Sequence, residues 1–162
     1  MSQTVLQCRE LLEATTPLRS DCGALCGAAC CASLEGEETG MLLFPGEEAL
    51  YADRPGWRIR PCAMGRLLIC PGRCDRADRP LSCRLFPALP LLREDGVRVA
   101  MDARAAAVCP LAKESPRSLS PEFIDAVRTC GRLLAEDPEQ RPFLLRLTEE
   151  HDAYRQLQLS FR

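Results

Sequence analysis

The residues with the clearest chemical potential are cysteines, and they are grouped. Cys22, Cys26, Cys30 and Cys31 follow the pattern C-x3-C-x3-C-C, and Cys70, Cys74 and Cys83 follow C-x3-C-x8-C. Cys109 comes later, in Val108-Cys109-Pro110. Thiolates are soft donors that suit zinc or iron–sulfur clusters, and four of them complete either ligand set. These eight thiols can serve two four-ligand centres, or one centre with structural thiols beside it. Neighbouring side chains diverge in extended backbone, so Cys30 and Cys31 can serve different ions. The spacing also excludes sites. No C-x2-C pair occurs, so zinc ribbons, two-Cys two-His fingers and the bacterial ferredoxin run do not fit. The x3 gap overlaps the radical-SAM signature, but the next gap is too long and the chain too short for that barrel.

Three of the 11 cysteines lie outside these groups: Cys8, Cys62 and Cys130. Cys8 and Cys130 fall on apolar helical faces and are expected to pack in the core. Cys62 is a reserve ligand. A length of 162 residues predicts one domain able to bury a core without cross-links. Residues 1–10 carry neither the basic nor the apolar region of a signal peptide. No apolar run approaches the roughly 20 residues of a membrane span. The expectation is a cytoplasmic protein with no membrane segment, whose cysteines point to metal rather than to disulfides.

Composition narrows the chemistry further. His151 is the one histidine and Lys113 the one lysine, which argues against triads, Cys-His dyads and multi-histidine metal centres. No glycine-rich phosphate loop or dinucleotide fingerprint occurs. His151 lies among Glu149, Glu150 and Asp152 and is expected on a solvated helix face. Residues 1–52 hold eight acids against two arginines, whereas residues 53–84 hold eight arginines against three aspartates, a local balance of 8 − 3 = +5. The net charge is −2, and Trp57 is the single aromatic of that basic stretch, so nucleic acid is not the expected partner. Arg79 and Arg84 flank Cys83. They can donate to cluster sulfurs, bind an anionic substrate or offset thiolate charge; the last is the expected role.

The elements that must position these thiols follow from periodicity. Residues 4–14 read as a helix with Val5, Leu6, Cys8, Leu11 and Leu12 on its apolar face, ended before Pro17. For residues 22–31 helix and loop both remain open: a helix would align Cys22, Cys26 and Cys30 and turn Cys31 away, but Gly23 and Gly27 weaken it. Residues 41–44, 57–59 and 67–69 read as strands, the last two as a hairpin turning at Met64-Gly65, with a short helix over 47–52. Residues 71–90 read as irregular or briefly helical, and 91–101 as a hairpin turning at Asp95-Gly96. Ser120-Pro121 opens a helix whose face carries Phe123, Ile124, Val127, Cys130, Leu133 and Leu134. Asp137-Pro138-Glu139-Gln140 reads as the cap, first-turn proline and capping-box partner of a second. That helix runs to about residue 159 and is expected to bury Phe143, Leu144, Leu147, Tyr154 and Leu157. The sum is a single α+β domain over 1–162: a cysteine core at 20–110 with short hairpins around a metal centre, and a helical hairpin at 120–160.

The run from Cys70 to Pro87, with Arg79-Pro80-x-x-Cys83-Arg84-x-Phe86-Pro87 at its end, resembles the core of the YkgJ-like cysteine-cluster family. That family is described as zinc- or iron-chelating through eight cysteines, and the likeness spans roughly residues 20–110. It departs at the first group, which in the family reads C-x2-C-x2-C-C, and it lacks the tyrosine often found after the middle cysteine. Position by position, the resemblance implies Cys22, Cys26, Cys30, Cys31, Cys70, Cys74, Cys83 and Cys109 as metal ligands. It implies zinc or an iron–sulfur centre as the bound group and leaves the reaction open. Flagellin lysine-N-methylases resemble the family in their cysteine cluster. The functions carried forward are therefore metal chelation, an iron–sulfur redox or methyl-transfer enzyme, and a structural zinc module with a protein partner.

Overall fold

The computed structural model describes residues 2–31, 40–72 and 74–160. In chain order it holds helices α1 (Gln3–Leu11) and α2 (Cys22–Cys26), then strands β1 (Met41–Leu43), β2 (Arg58–Cys62) and β3 (Gly65–Ile69). Helix α3 (Leu81–Leu85), strands β4 (Ala88–Arg93) and β5 (Gly96–Met101), and helices α4 (Pro121–Glu136) and α5 (Arg141–Ser160) complete it. The architecture is α+β, with two small antiparallel sheets and two long C-terminal helices.

The main core forms where α1, α4 and α5 pack around the β4–β5 hairpin. Ser120 and Pro121 start α4 as expected, the fixed φ of proline suiting the first helical position. Its stripe of Phe123, Val127, Cys130 and Leu134 is fully buried. Gly131 lets α4 close on the hairpin: a Cβ there would lie 2.6 Å from Pro90 and Val97 side-chain atoms. The β4–β5 turn uses Glu94 and Asp95, with Arg93 opposite Gly96 and Gly96 at φ +118°. This hairpin starts earlier than its sequence implies, at Ala88. A two-stranded ribbon leaves each strand an open edge, so Pro90 fits inside β4 without a missing ladder bond.

The smaller sheet runs β1-β3-β2, with Met41 opposite Leu68 and Arg58 opposite Ile69. Leu43, Leu68 and Tyr51 form a second apolar cluster under it.

Four expectations need correction. Leu11 is exposed, because α1 presents Val5, Cys8 and Leu12 to α4 instead. Gln140 closes no capping box; it is fully buried and its side-chain amide donates to the Pro45 carbonyl at 2.9 Å. Tyr154 and Leu157 are exposed, since α5 makes its packing contacts through Phe143, Leu144 and Leu147.

The fourth correction is His151, which is buried rather than solvated, its Nδ1 accepting the Ala103 N–H at 3.4 Å. Burial holds its pKa below the usual 6.5, against the pull of Asp102 and Asp152 and with the push of Arg155 and Arg93. Above pH 6.5 the ring is neutral folded or unfolded, so it adds no pH dependence there. Below it the unfolded chain takes up the proton first, so stability falls until the folded pKa is passed. Urea unfolding from pH 7 to 5 should show this loss in the wild type and a flatter profile in His151→Gln; parallel profiles would contradict it.

Candidate metal centre

The first thiol segment is short-helical and then turns. Asp21 caps α2, its carboxylate accepting the Gly23 N–H at 3.1 Å. The helix stops after one turn because Gly27 takes the left-handed conformation at φ +63°, the usual place for glycine at a helix C-terminus. Ala28 follows at φ +57°, and a 3-10 turn spans Ala29–Cys31. Cys22 and Cys26 therefore share a face, while Cys30 does not continue their stripe. Cys31 does not turn away: it lines the same cavity as Cys30. Neither α2 nor the 3-10 turn buries a side chain.

The second segment is anchored more firmly. Cys70 leaves the end of β3, a turn at Gly72 (φ +90°) leads to Cys74, and Cys83 sits in the middle of α3. Glu47 holds the start of α3 by accepting the Leu81 N–H at 2.7 Å, and it accepts the Phe44 N–H at 3.3 Å. Arg9 from α1 donates to Glu47 at 3.0 Å, to the Tyr51 hydroxyl at 2.9 Å, and to the carbonyls of Arg79 and Ala77 at 2.8 and 3.0 Å. Tyr51 in turn donates to the Asp78 carbonyl, and burial pushes its pKa up to about 12. Burial also pushes the Glu47 carboxyl up, while the Leu81 N–H and Arg9 pull it back.

The two arginines beside Cys83 divide. Arg84 is buried and points away from the sulfurs, donating to the carbonyls of Arg9, Arg79 and Ala77 and to the Glu13 carboxylate. Arg79 lines the thiol cavity, and its positive charge pulls the Cys74 thiol down against the burial that raises it. Its buried Nε has no partner among the described residues. Arg76 binds the carbonyls of Leu12, Glu13 and Thr15, and Arg54 pairs with Asp78 at 2.6 Å. Much of the basic stretch is thus committed to internal contacts.

The two segments meet. One cavity of about 100 Å³ is lined by Cys22, Cys30, Cys31, Cys70, Cys74 and Cys83, with Met41, Trp57, Leu68 and Phe86 as its apolar wall. A wider groove of about 560 Å³ adjoins it, sharing Cys31, Cys74, Trp57 and Arg79 and adding Asp21, Asp75 and Asp78. Cys26 and Cys109 do not line the cavity; both are electrostatic neighbours of Cys22. Burial raises the Cys109 thiol, and the N–H groups of Leu111 and Ala112 pull it back. Cys62 is exposed at the hairpin end of β2 and is not among the cavity residues. Cys8 and Cys130 pack in the core, each thiol on the other's carbonyl at 3.7 and 3.6 Å.

Crowding shapes the protonation of these thiols. Burial holds Cys83 well above the usual thiol pKa, reinforced by Cys31, Cys74 and Cys70. A hydrogen bond with Cys31 and then burial raise Cys30. Burial is the leading cause for Cys22, Cys74 and Cys109 as well. Several thiolates in one small space repel one another unless a cation is among them. The donor set suits zinc or an iron–sulfur centre: soft thiols from both segments, with a guanidinium nitrogen left for negative charge. Among the described residues, no three Cys, His, Asp or Glu side chains already stand in metal-ligating geometry. The thiols share a cavity without closing on one point.

Glu47, Arg9 and Tyr51, which hold α3 in place, left no signal in the residue spacing, because their partners are distant in the chain. No family model, curated protein or solved structure matches the chain.

Proposed function

We propose that this protein binds metal through its clustered cysteines, holding zinc or an iron–sulfur centre with Cys22, Cys26, Cys30, Cys31, Cys70, Cys74, Cys83 and Cys109 as the ligands. The observation that carries this reading is the convergence of two sequence-distant cysteine groups on one cavity, six of their thiols lining it beside Arg79. Thiols gathered only for packing would be buried like Cys8 and Cys130; these are mostly half-buried. Zinc would supply structural cross-linking or Lewis acidity, and an iron–sulfur centre one-electron chemistry. The chain's part is to bring the thiols together, offset their charge through Arg79 and shield one side with Trp57 and Phe86. Free thiols of this density belong in a reducing compartment, and no helix among the described residues is long and apolar enough to cross a membrane.

A second reading, an iron–sulfur redox or methyl-transfer enzyme, is favoured by the groove beside the cavity, which gives a substrate room against Trp57 and the thiols. Anaerobic purification with metal analysis and a visible spectrum on one sample separates the two. Zinc without colour supports a structural or metal-handling protein, and iron with sulfide and a brown colour supports the enzyme. Cys30→Ser and Cys83→Ser should each lower metal content and melting temperature together. Unchanged metal stoichiometry in both would refute the site.

A further inference from the structure

We infer that Arg79 is a positioning residue of the thiol centre, its buried Nε–H kept to donate to a metal-bound thiolate of Cys31 or Cys74. This role rests on the metal-binding reading above, and it is a directed hydrogen bond rather than the charge balance expected from sequence.

The fold itself pins the Arg79 backbone. Its carbonyl accepts Arg9 at 2.8 Å and Arg84 at 3.0 Å, and its N–H donates to the Arg76 carbonyl at 3.1 Å. Pro80 follows, with φ fixed by its ring. The side chain, by contrast, is incompletely used. Arg9, Arg76 and Arg84 direct their guanidinium donors to carbonyls and carboxylates of the fold. The Arg79 Nε is the one buried side-chain nitrogen with no acceptor among the described residues. Buried donors are nearly always satisfied, and one left open costs stability until an acceptor arrives.

The chemistry of the surroundings names the acceptor. Arg79 lines both the cavity and the groove, and Cys31 and Cys74 are the two thiols that do the same. The aspartates of this region, Asp21, Asp75 and Asp78, line the groove and not the cavity. Nε is enclosed and so turned from the open groove. On the cavity side, the side-chain acceptors among the described residues are sulfurs. A thiol accepts weakly, whereas a thiolate makes the strong, charge-assisted bond. Metal binding requires the deprotonated cysteine, and so supplies what Nε lacks. Cys31 belongs to the first cysteine group and Cys74 to the second, so the guanidinium stands where the two must be brought together. Partners of this kind orient the ligands from outside the coordination shell, and their loss lowers metal affinity about 10- to 100-fold.

The test is anaerobic loading with cobalt(II), a coloured stand-in for zinc, in the wild type and in Arg79→Lys, which keeps the charge but lacks the Nε–H. The expected result is cobalt affinity about 10-fold weaker in Arg79→Lys, with the thiolate-to-cobalt charge-transfer band moved to longer wavelength. Losing a donor raises the sulfur lone pairs in energy, which a packing defect alone does not do. Wild-type affinity and band position in Arg79→Lys overturn this role and leave charge balance in its place. If the isolated protein carries iron and sulfide, Arg79→Lys should instead lower its reduction potential, and an unchanged potential overturns the role. On isotope-labelled wild type loaded with cadmium, the Arg79 Nε–H signal should shift and exchange slowly, so a variant that fails to fold leaves the test intact. A signal unmoved by cadmium overturns the role as well. A wild-type protein that holds none of these metals overturns the metal-binding reading itself.

Discussion

If the cysteines hold metal as proposed, stripping it with a strong chelator is expected to melt the thiol-bearing segments while the helical core stays folded. Structural zinc sites of four thiolates contribute on the order of 10–16 kcal/mol of apparent binding energy, as much as the whole stability of an ordinary domain. Where that loss falls depends on what else holds each segment. Helix α2 and the turn at Ala29–Cys31 bury no side chain, and β2 is almost entirely exposed. By contrast, Val5, Phe123, Val127, Leu134 and Leu144 are fully enclosed between α1, α4 and α5. Hydrogen exchange on loaded and chelated protein should therefore show lost protection over residues 22–31 and 58–74, with α4 and the first half of α5 unchanged. Calorimetry of the chelated form should show a weakened or absent early transition. Unaltered exchange over residues 22–31 would mean that packing, not metal, holds them.

The second large effect is expected at Glu47. Its carboxylate is fully buried and receives Arg9, the Leu81 N–H and the Phe44 N–H. Glu47→Ala removes the acceptor for all three and leaves the Arg9 guanidinium, itself only 12% exposed, beside an empty partner site. Breaking one side of a buried pair costs about 3–5 kcal/mol, because the surviving charge is left uncompensated. The loss should appear as a fall in the urea midpoint with an unchanged slope. Glu47→Gln, which keeps an oxygen for Leu81, should lose less. Replacing both partners with apolar residues should also lose less than Glu47→Ala, since no charge is then stranded. A Glu47→Ala protein within about 0.5 kcal/mol of wild type, the range of ordinary surface changes, would show that the pair is not structural. Because the same carboxylate caps α3, the variant should also hold less metal.

Much of the fold was legible because local patterns and long-range packing agreed. Ser120-Pro121 and the apolar spacing from Phe123 to Leu134 define α4, and both hairpins turn within a residue or two of their glycines. The gathering of the cysteines was legible as spacing, though not the break at Gly27 and Ala28 that brings Cys31 to the cavity. What the sequence hid were charged groups turned inward. Glu47 follows a Pro-Gly pair and looks like a surface turn residue, yet its partners come from α1 and α3. Arg84 reads as a companion of Cys83, but four acceptors on the opposite side claim its guanidinium. His151 lies in a run of acids, and only its contact with Ala103, 48 positions away, reveals its burial. Tyr154 and Leu157 continue an apolar stripe past the point where α5 still has a sheet to cover.

If the cysteines bind metal as proposed, the anchoring of α3 would also set the order in which they engage it. Cys83 rides between Leu81, Arg84 and Leu85, all buried, on a helix tied at its start by Glu47 and along its side by Arg84 and Arg9. Its sulfur is held by the fold itself, so docking an ion there would cost little conformational entropy. The cost would fall on the turn at Ala29–Cys31, which buries no side chain of its own and would have to be ordered by such bonds. On the proposed reading, capture would begin at a fixed post and end with a closing arm, and the arm would govern how slowly the ion leaves.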